Sequence, residues 1–201
     1  LEAVQQGLGE MKNLATGVGD LKKVLSNVKS KGVLGEIQLE SILESILNAE
    51  QYDKNVKTKK NSNDLVEFAL KMPGHGDTGF VYLPIDAKFP HVDYVNIQDA
   101  RDAGDKVALE MHTRSLIQSV KRFAKDIKEK YIDPPHTTDF GIMFFPVEGL
   151  YAEVLRRPGL CDSLQRHYRI VVTGPTTLAA LLNSLQMGFR TLAIEKRSSE
   201  V

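Results

Sequence analysis

Phe80-Val81-Tyr82-Leu83-Pro84-Ile85-Asp86-Ala87-Lys88-Phe89 is the stretch that decides the fold. Read as a strand, it sends alternate side chains to opposite faces. Val81, Leu83, Ile85, Ala87 and Phe89 then form an apolar face, while Asp86 and Lys88 share the other. A lysine beside a carboxylate at a strand end can orient or deprotonate a water, and the carboxylate can hold a divalent metal beside it. A second strand-like run, 64–72, lies upstream, and Pro73-Gly74-His75-Gly76-Asp77-Thr78-Gly79 between the two is rich in turn formers. A hairpin centred on Gly76 predicts that Asp64 pairs with Lys88; a slip of one or two residues sets it opposite Asp86. Either register gathers the three polar groups at one end of one hairpin.

Helix geometry selects a third acid. Leu39, Ile42, Leu43, Ile46 and Leu47 follow the spacing of a buried stripe. Glu36 lies roughly 60° from the centre of that stripe, Glu40 roughly 100° and Glu44 roughly 140°. Glu36 therefore borders the core and is the preferred ligand, with Glu40 in reserve. Gly35 before it allows the helix to approach the sheet closely. Singly, these pieces are the pattern of a solvated helix face and a surface ion pair. Their order along the chain is what points to one site.

A chain of 201 residues, 42% hydrophobic and 26% charged, is long enough for one good core. Cys161 is the sole cysteine, which excludes a disulfide framework or a cysteine-rich zinc site within this chain. It reads as a small packing residue in a reducing compartment. No apolar run reaches membrane-spanning length and no signal peptide is visible, so the expected location is cytoplasmic. Leu1 at the first position leads to the expectation of a longer parent protein, and a membrane anchor on a preceding segment stays open.

Residues 1–31 carry a heptad-like repeat: Leu1, Val4, Leu8, Met11, Leu14, Val18, Leu21, Leu25 and Val28. They are expected to form a coiled-coil-type helix that assembles a homo-oligomer, ahead of an α/β domain over 32–201. An amphipathic helix folded onto the core is the alternative. Within the domain, strands are expected around 52–58, 64–72, 80–88, 140–145 and 168–173. Helices are expected around Glu36, over 98–131 and 149–165, and after Gly174, where Thr176 or Thr177 would be the N-cap. The order αβββαβαβα predicts a mixed sheet flanked by helices.

The formal net charge of zero does not advertise nucleic-acid binding, yet the charges are unevenly placed. Lys54, Lys57, Lys59 and Lys60 form a run without an acid. Arg114, Lys121, Lys125 and Lys128 lie near one helical stripe. Both basic groups flank the proposed site in sequence, which favours contacts to phosphates. Gly74-His75-Gly76-Asp77-Thr78-Gly79 matches a dinucleotide fingerprint letter for letter, but a strand follows where that motif needs a helix. Gly174-Pro175-Thr176-Thr177 lacks the lysine of a P-loop and reads as helix capping, with exposed amides that a phosphate could meet. His75, His91, His112, His136 and His167 show no metal-ligand spacing.

Gly35-Glu36-Ile37-Gln38-Leu39-Glu40-Ser41-Ile42-Leu43-Glu44 followed by Ile85-Asp86-Ala87-Lys88-Phe89-Pro90 resembles the RmuC family of DNA-recombination proteins. Lys130-Tyr131, Phe144-Phe145-Pro146-Val147-Glu148 and Gly174-Pro175-Thr176-Thr177-Leu178 support the likeness, which covers roughly 32–190. The resemblance implies a PD-(D/E)xK, restriction-endonuclease-like αβββαβ core behind a coiled coil, linked to limiting DNA rearrangements. It also implies that Glu36, Asp64 and Asp86, helped by the Ala87 carbonyl, bind Mg2+ or Mn2+. Lys88 would then position the attacking water and stabilise charge on the phosphate. Asn63 stands where the family usually has proline, and Leu34 where it commonly has tryptophan. A non-catalytic DNA-binding scaffold that assembles through the coiled coil is the rival reading.

Overall fold

The structure, a computed structural model, describes residues 28–74 and 79–199, with side-chain surroundings over 32–74 and 79–188. The coiled coil expected over 1–31 lies almost wholly outside the described residues. The first described helix, α1 (Val28–Ile46), crosses the expected boundary at residue 31 without a break. Its apolar stripe behaves as expected: Leu39, Leu43 and Leu47 are buried, with Ile42 and Ile46 packed beside them.

Five strands form one sheet in the order β1 (Tyr52–Val56), β2 (Val66–Pro73), β3 (Phe80–Ala87), β4 (Gly141–Phe144), β5 (Ile170–Thr173). The first three pair antiparallel, and β3, β4 and β5 pair parallel. The sheet is mixed, as the sequence order predicts. All four residues of β4 are buried, as expected for an apolar strand covered on both faces.

The helical assignments need correction. The single helix expected over 98–131 is two, α2 (His91–Asp102) and α3 (Lys106–Tyr131). Gly104, at φ +68°, ends the first in the left-handed region, and Asp105 caps the second by accepting from the Ala108 amide at 2.9 Å. The helix expected over 149–165 is likewise interrupted. It divides into α4 (Glu148–Leu155) and α5 (Leu160–Ser163), separated by Pro158-Gly159, with a π turn following at Leu164–Tyr168. The last helix, α6 (Pro175–Ser199), starts with Pro175 at its first position rather than with a threonine cap.

Each sheet face has its own core. Phe68, Leu70, Leu83, Ile85, Ile142 and Phe144 pack against Leu39 and Leu43 of α1 and Leu178 and Leu182 of α6. Ala69, Met143 and Ile170 on the other face meet Leu116, Val120, Ala124 and Ile127 of α3 and Val154 of α4. Each fully buried Leu, Ile, Val or Met side chain among these contributes about 2 kcal/mol. The two layers clamp β3 from both sides and fix the direction of Asp86.

Candidate active site

The β2–β3 ladder pairs Phe68 with Ile85 and Ala69 with Pro84. Carried one residue further, the same register sets Glu67 opposite Asp86, with both side chains on one face of the sheet. This corrects the expected register. Asp64 faces neither Lys88 nor Asp86, because β2 begins only at Val66. Asp64 is exposed on the approach to the strand, where the Ser62 hydroxyl donates to its carboxylate at 2.6 Å.

Asp86 is 1% exposed. Burial raises its pKa, against the pull of Lys88, Lys130 and the Tyr131 hydroxyl. Lys88 makes an ion pair with Asp86 Oδ2, as the strand alternation predicts. That ammonium is close without lying along a hydrogen-bonding direction, and Oδ2 has no directional donor. Lys88 is held by its backbone, which donates to the Phe144 carbonyl at 2.9 Å. Its ammonium also sits 5.9 Å from the centre of the Phe123 ring, which Arg122 flanks as well.

Glu67 is the acid that reading by spacing missed. Its carboxylate accepts from the Ala87 amide at 2.8 Å. Burial, then the charges of Asp86 and Glu36, push its pKa up to about 7. The signal was available in the sequence, since Glu67 stands between Val66 and Phe68 in a run that becomes core. Tyr131, the last residue of α3, was missed too; it extends the buried stripe of Leu116, Val120, Ala124 and Ile127 and brings its phenol near enough to Asp86 that each shifts the other's pKa.

Glu36 approaches from α1, as its helical angle predicts, and its charge is felt at Glu67. Glu40 is instead engaged by Lys54 of β1. The close approach at Gly35 is real: a methyl group there would meet the Ala87 side chain at 3.5 Å, which is ordinary contact. Alanine would fit at that position.

The basic residues divide by partner. The Lys59 ammonium donates to the Glu129 carbonyl at 2.9 Å and that of Lys128 to the His167 carbonyl at 2.8 Å. Arg114 pairs with Glu110, and Lys125 lies 3.8 Å from Glu129. The Lys60 amide donates to Asp133. Lys57, Lys60 and Lys121 are exposed. At the start of α6, the Glu148 carboxylate accepts from the Thr176 amide at 2.6 Å, so an acid occupies the place where a phosphate was considered. Burial, then Asp162, raises the Cys161 thiol, which fits a packing role.

The sequence model of the RmuC family matches residues 1–201. The chain belongs to the RmuC family. It is 57% identical over 202 residues to a "DNA recombination protein RmuC homolog" of Xylella fastidiosa, covering 100% of this chain and 44% of that protein. Proteins of the same description from Chlamydia pneumoniae and Pseudomonas aeruginosa are 27% identical over 205 residues and 28% over 179. Those alignments cover 100% and 85% of this chain, and 46% and 38% of the relatives. This RmuC-family chain thus spans less than half the length of the curated relatives it matches. No solved structure matches it.

Among the described residues of this RmuC-family chain, no three His, Cys, Asp or Glu side chains stand close enough together to hold a metal ion. The arrangement offers the facing carboxylates Glu67 and Asp86 rather than a closed cage. That donor set fits magnesium, which keeps several waters and takes one or two carboxylates plus phosphate oxygens. The buried Asp86 Oδ2, without a directional donor, fits it as well. Among the described residues, no helix is long and apolar enough to cross a membrane.

Proposed function

We propose that this chain carries the hydrolytic site of a divalent-metal-dependent DNA nuclease acting in recombination, with Glu67 and Asp86 as its paired carboxylates. The observation that carries the reading is the facing of two like charges on neighbouring strands. Such a pair destabilises a sheet on its own, and burial makes it worse. A bound cation removes that penalty. The DNA substrate is supported by the name its relatives carry and by membership of the family. The order of elements, a helix, three antiparallel strands, a helical crossover and a parallel strand, supports a restriction-endonuclease-like core.

In this reading Glu67 and Asp86 would hold Mg2+ or Mn2+, with Glu36 of α1 adding negative charge beside them. The metal supplies Lewis-acid stabilisation of the phosphate and a more acidic water. Lys88 turns its ammonium from Asp86 to the attacking water and a phosphate oxygen. The water's oxygen would bond to phosphorus as the bond to the leaving sugar oxygen breaks, the water's proton passing to solvent and the leaving oxygen taking up a proton from solvent. Arg122, which flanks the same Phe123 ring as Lys88, and Lys130, whose charge acts on Asp86, would meet the neighbouring phosphates. Residues 1–31 join copies of the chain into an oligomer.

A DNA-binding scaffold is the second reading, favoured by the absence of a three-acid cluster among the described residues. Incubation of the chain with single-stranded, duplex and branched DNA in Mg2+ separates the two. Cleavage lost in Asp86→Asn and in Lys88→Ala supports the nuclease. Binding without cleavage of any DNA form supports the scaffold.

A further inference from the structure

Glu153 of α4 is buried, and three arginines converge on its one carboxylate. Arg157 donates to Oε2 at 2.7 Å and through Nε to the Glu153 carbonyl at 3.2 Å, so this side chain alone pairs the acid and closes the end of the helix. Arg101, from the last turn of α2, donates to Oε1 at 2.8 Å and ties the two helices together. Arg156 is the third. Its side chain is 64% exposed, yet it turns back and donates at 3.0 Å to the same Oε1. A free arginine at that exposure would keep its rotamer freedom in water, and the acid it meets is already paired. Three cations against one carboxylate leave a net charge of +2. Among the described residues, neither Asp99 nor Asp102, the acids of the same turn of α2, makes an ion pair with these arginines. A guanidinium cluster that exceeds the need of its own acid, held in place and open to water, is built to take a second anion.

We propose that Arg101, Arg156 and Arg157 form a second phosphate-binding site, which takes a phosphodiester of the DNA backbone apart from the place of cleavage. The inference rests on the reading that this chain acts on DNA, and not on the metal. Glu153 holds the guanidinium groups in advance, so little ordering is left to lose when their remaining N–H groups meet a phosphate. The place suits a contact along the strand. α2 opens at His91, just after Lys88-Phe89-Pro90, and carries Arg101 roughly 15 Å along its axis. A backbone whose cleaved phosphate lies at Lys88 therefore meets this cluster at a different phosphate. Inorganic phosphate presents the same chemistry, and the test separates it from the backbone.

The test is binding of fluorescent DNA, single-stranded and duplex, by anisotropy in EDTA across a salt series. It compares the full chain with Arg156→Gln, Arg156→Lys and Arg169→Gln. Arg156 is the residue to change because Glu153 keeps Arg101 and Arg157 without it, so the variants should melt within a few degrees of wild type. Arg169 is the control, an exposed arginine 3.9 Å from Asp139 in a different part of the fold. The expected result is a salt slope lower by about 1 in Arg156→Gln, with Arg156→Lys and Arg169→Gln keeping the wild-type slope. A wild-type slope in Arg156→Gln overturns this inference and leaves the DNA reading standing. An equal fall in Arg169→Gln overturns it also, because the effect is then not local. Saturable uptake of inorganic phosphate that Arg156→Gln loses, with the DNA slope unchanged, assigns the cluster to the free ion and overturns the backbone contact. A wild-type chain that binds neither form of DNA overturns the DNA reading and this inference together.

Discussion

Glu67 faces Asp86 across the β2–β3 ladder, one residue beyond the pairing of Phe68 with Ile85. Two acids in this relation repel each other, and burial denies them the water that would screen the repulsion. The Ala87 amide on Glu67 and the Lys88 ammonium on Asp86 relieve only part of the conflict. Local structure is here in conflict with stability, which is where function is expected to sit.

The conflict has a pH signature in the metal-free protein. Glu67 titrates near 7 when folded, against an ordinary value of 4.5. A raised folded pKa gives stability that is fully present below about 4.5 and lost as pH rises through 7. Metal-free Glu67→Gln lacks that loss, so it should exceed wild type at pH 8 by up to about 3 kcal/mol. Urea unfolding at pH 5 and pH 8 checks this. Parallel pH dependence in the two proteins would contradict it.

Metal uptake should be proton-linked for the same reason. A carboxyl that titrates near 7 must lose its proton to bind a cation. Mn2+ affinity is therefore expected to be about tenfold weaker at pH 6 than at pH 8. Calorimetry in buffers of different ionisation enthalpy measures the released proton directly. An affinity flat across that range would argue against Glu67 as a ligand.

Much of this fold is legible in the residues, and the losses are specific. The alternation of Phe80–Ala87 yields the strand, its apolar face and the Asp86–Lys88 pair. The stripe of Leu39, Leu43 and Leu47 yields α1 and the place of Glu36. The hairpin centre, assumed at Gly76, falls between Gly76 and Asp77 in the observed pairing of Pro73 with Phe80. Because side chains alternate with a period of two, such an offset changes which acid meets Asp86. Gly104-Asp105 is a readable stop and restart that the continuous apolar periodicity of α3 obscured. The influence of Tyr131 on Asp86 acts between residues 45 positions apart and has no local signature.

A separate network should govern acid stability. Glu153, 2% exposed, is bound by Arg101 at 2.8 Å, Arg156 at 3.0 Å and Arg157 at 2.7 Å. Burial alone would raise its carboxyl, but the hydrogen bonds of Arg101 and Arg157 outweigh it and hold the pKa below the usual range. Its contribution is present above the ordinary carboxylate pKa and lost as pH falls through the folded one. Glu153→Ala should cost about 3 kcal/mol at pH 7 and flatten the acid limb of the stability profile, without changing Mn2+ affinity. Unchanged melting at pH 7 would contradict this.

The basic residues should separate in salt titrations of DNA binding. Lys121→Ala and Arg122→Ala are each expected to lower the salt slope by about 1 at little cost in stability. Lys59→Ala and Lys128→Ala remove bonds to the Glu129 and His167 carbonyls. They should cost about 1 kcal/mol of stability and leave the slope nearly unchanged. The opposite division would contradict the assignment of Lys121 and Arg122 to phosphate contact.

The pairing of Glu67 with Asp86 as the metal-holding site is tested most directly by Mn2+ isotherms of wild type, Glu67→Gln and Asp64→Asn under one set of conditions. The account predicts that Glu67→Gln abolishes binding while Asp64→Asn, altered outside the ladder and bonded to Ser62, binds within about twofold of wild type. Loss of binding in Asp64→Asn with binding retained in Glu67→Gln would contradict it.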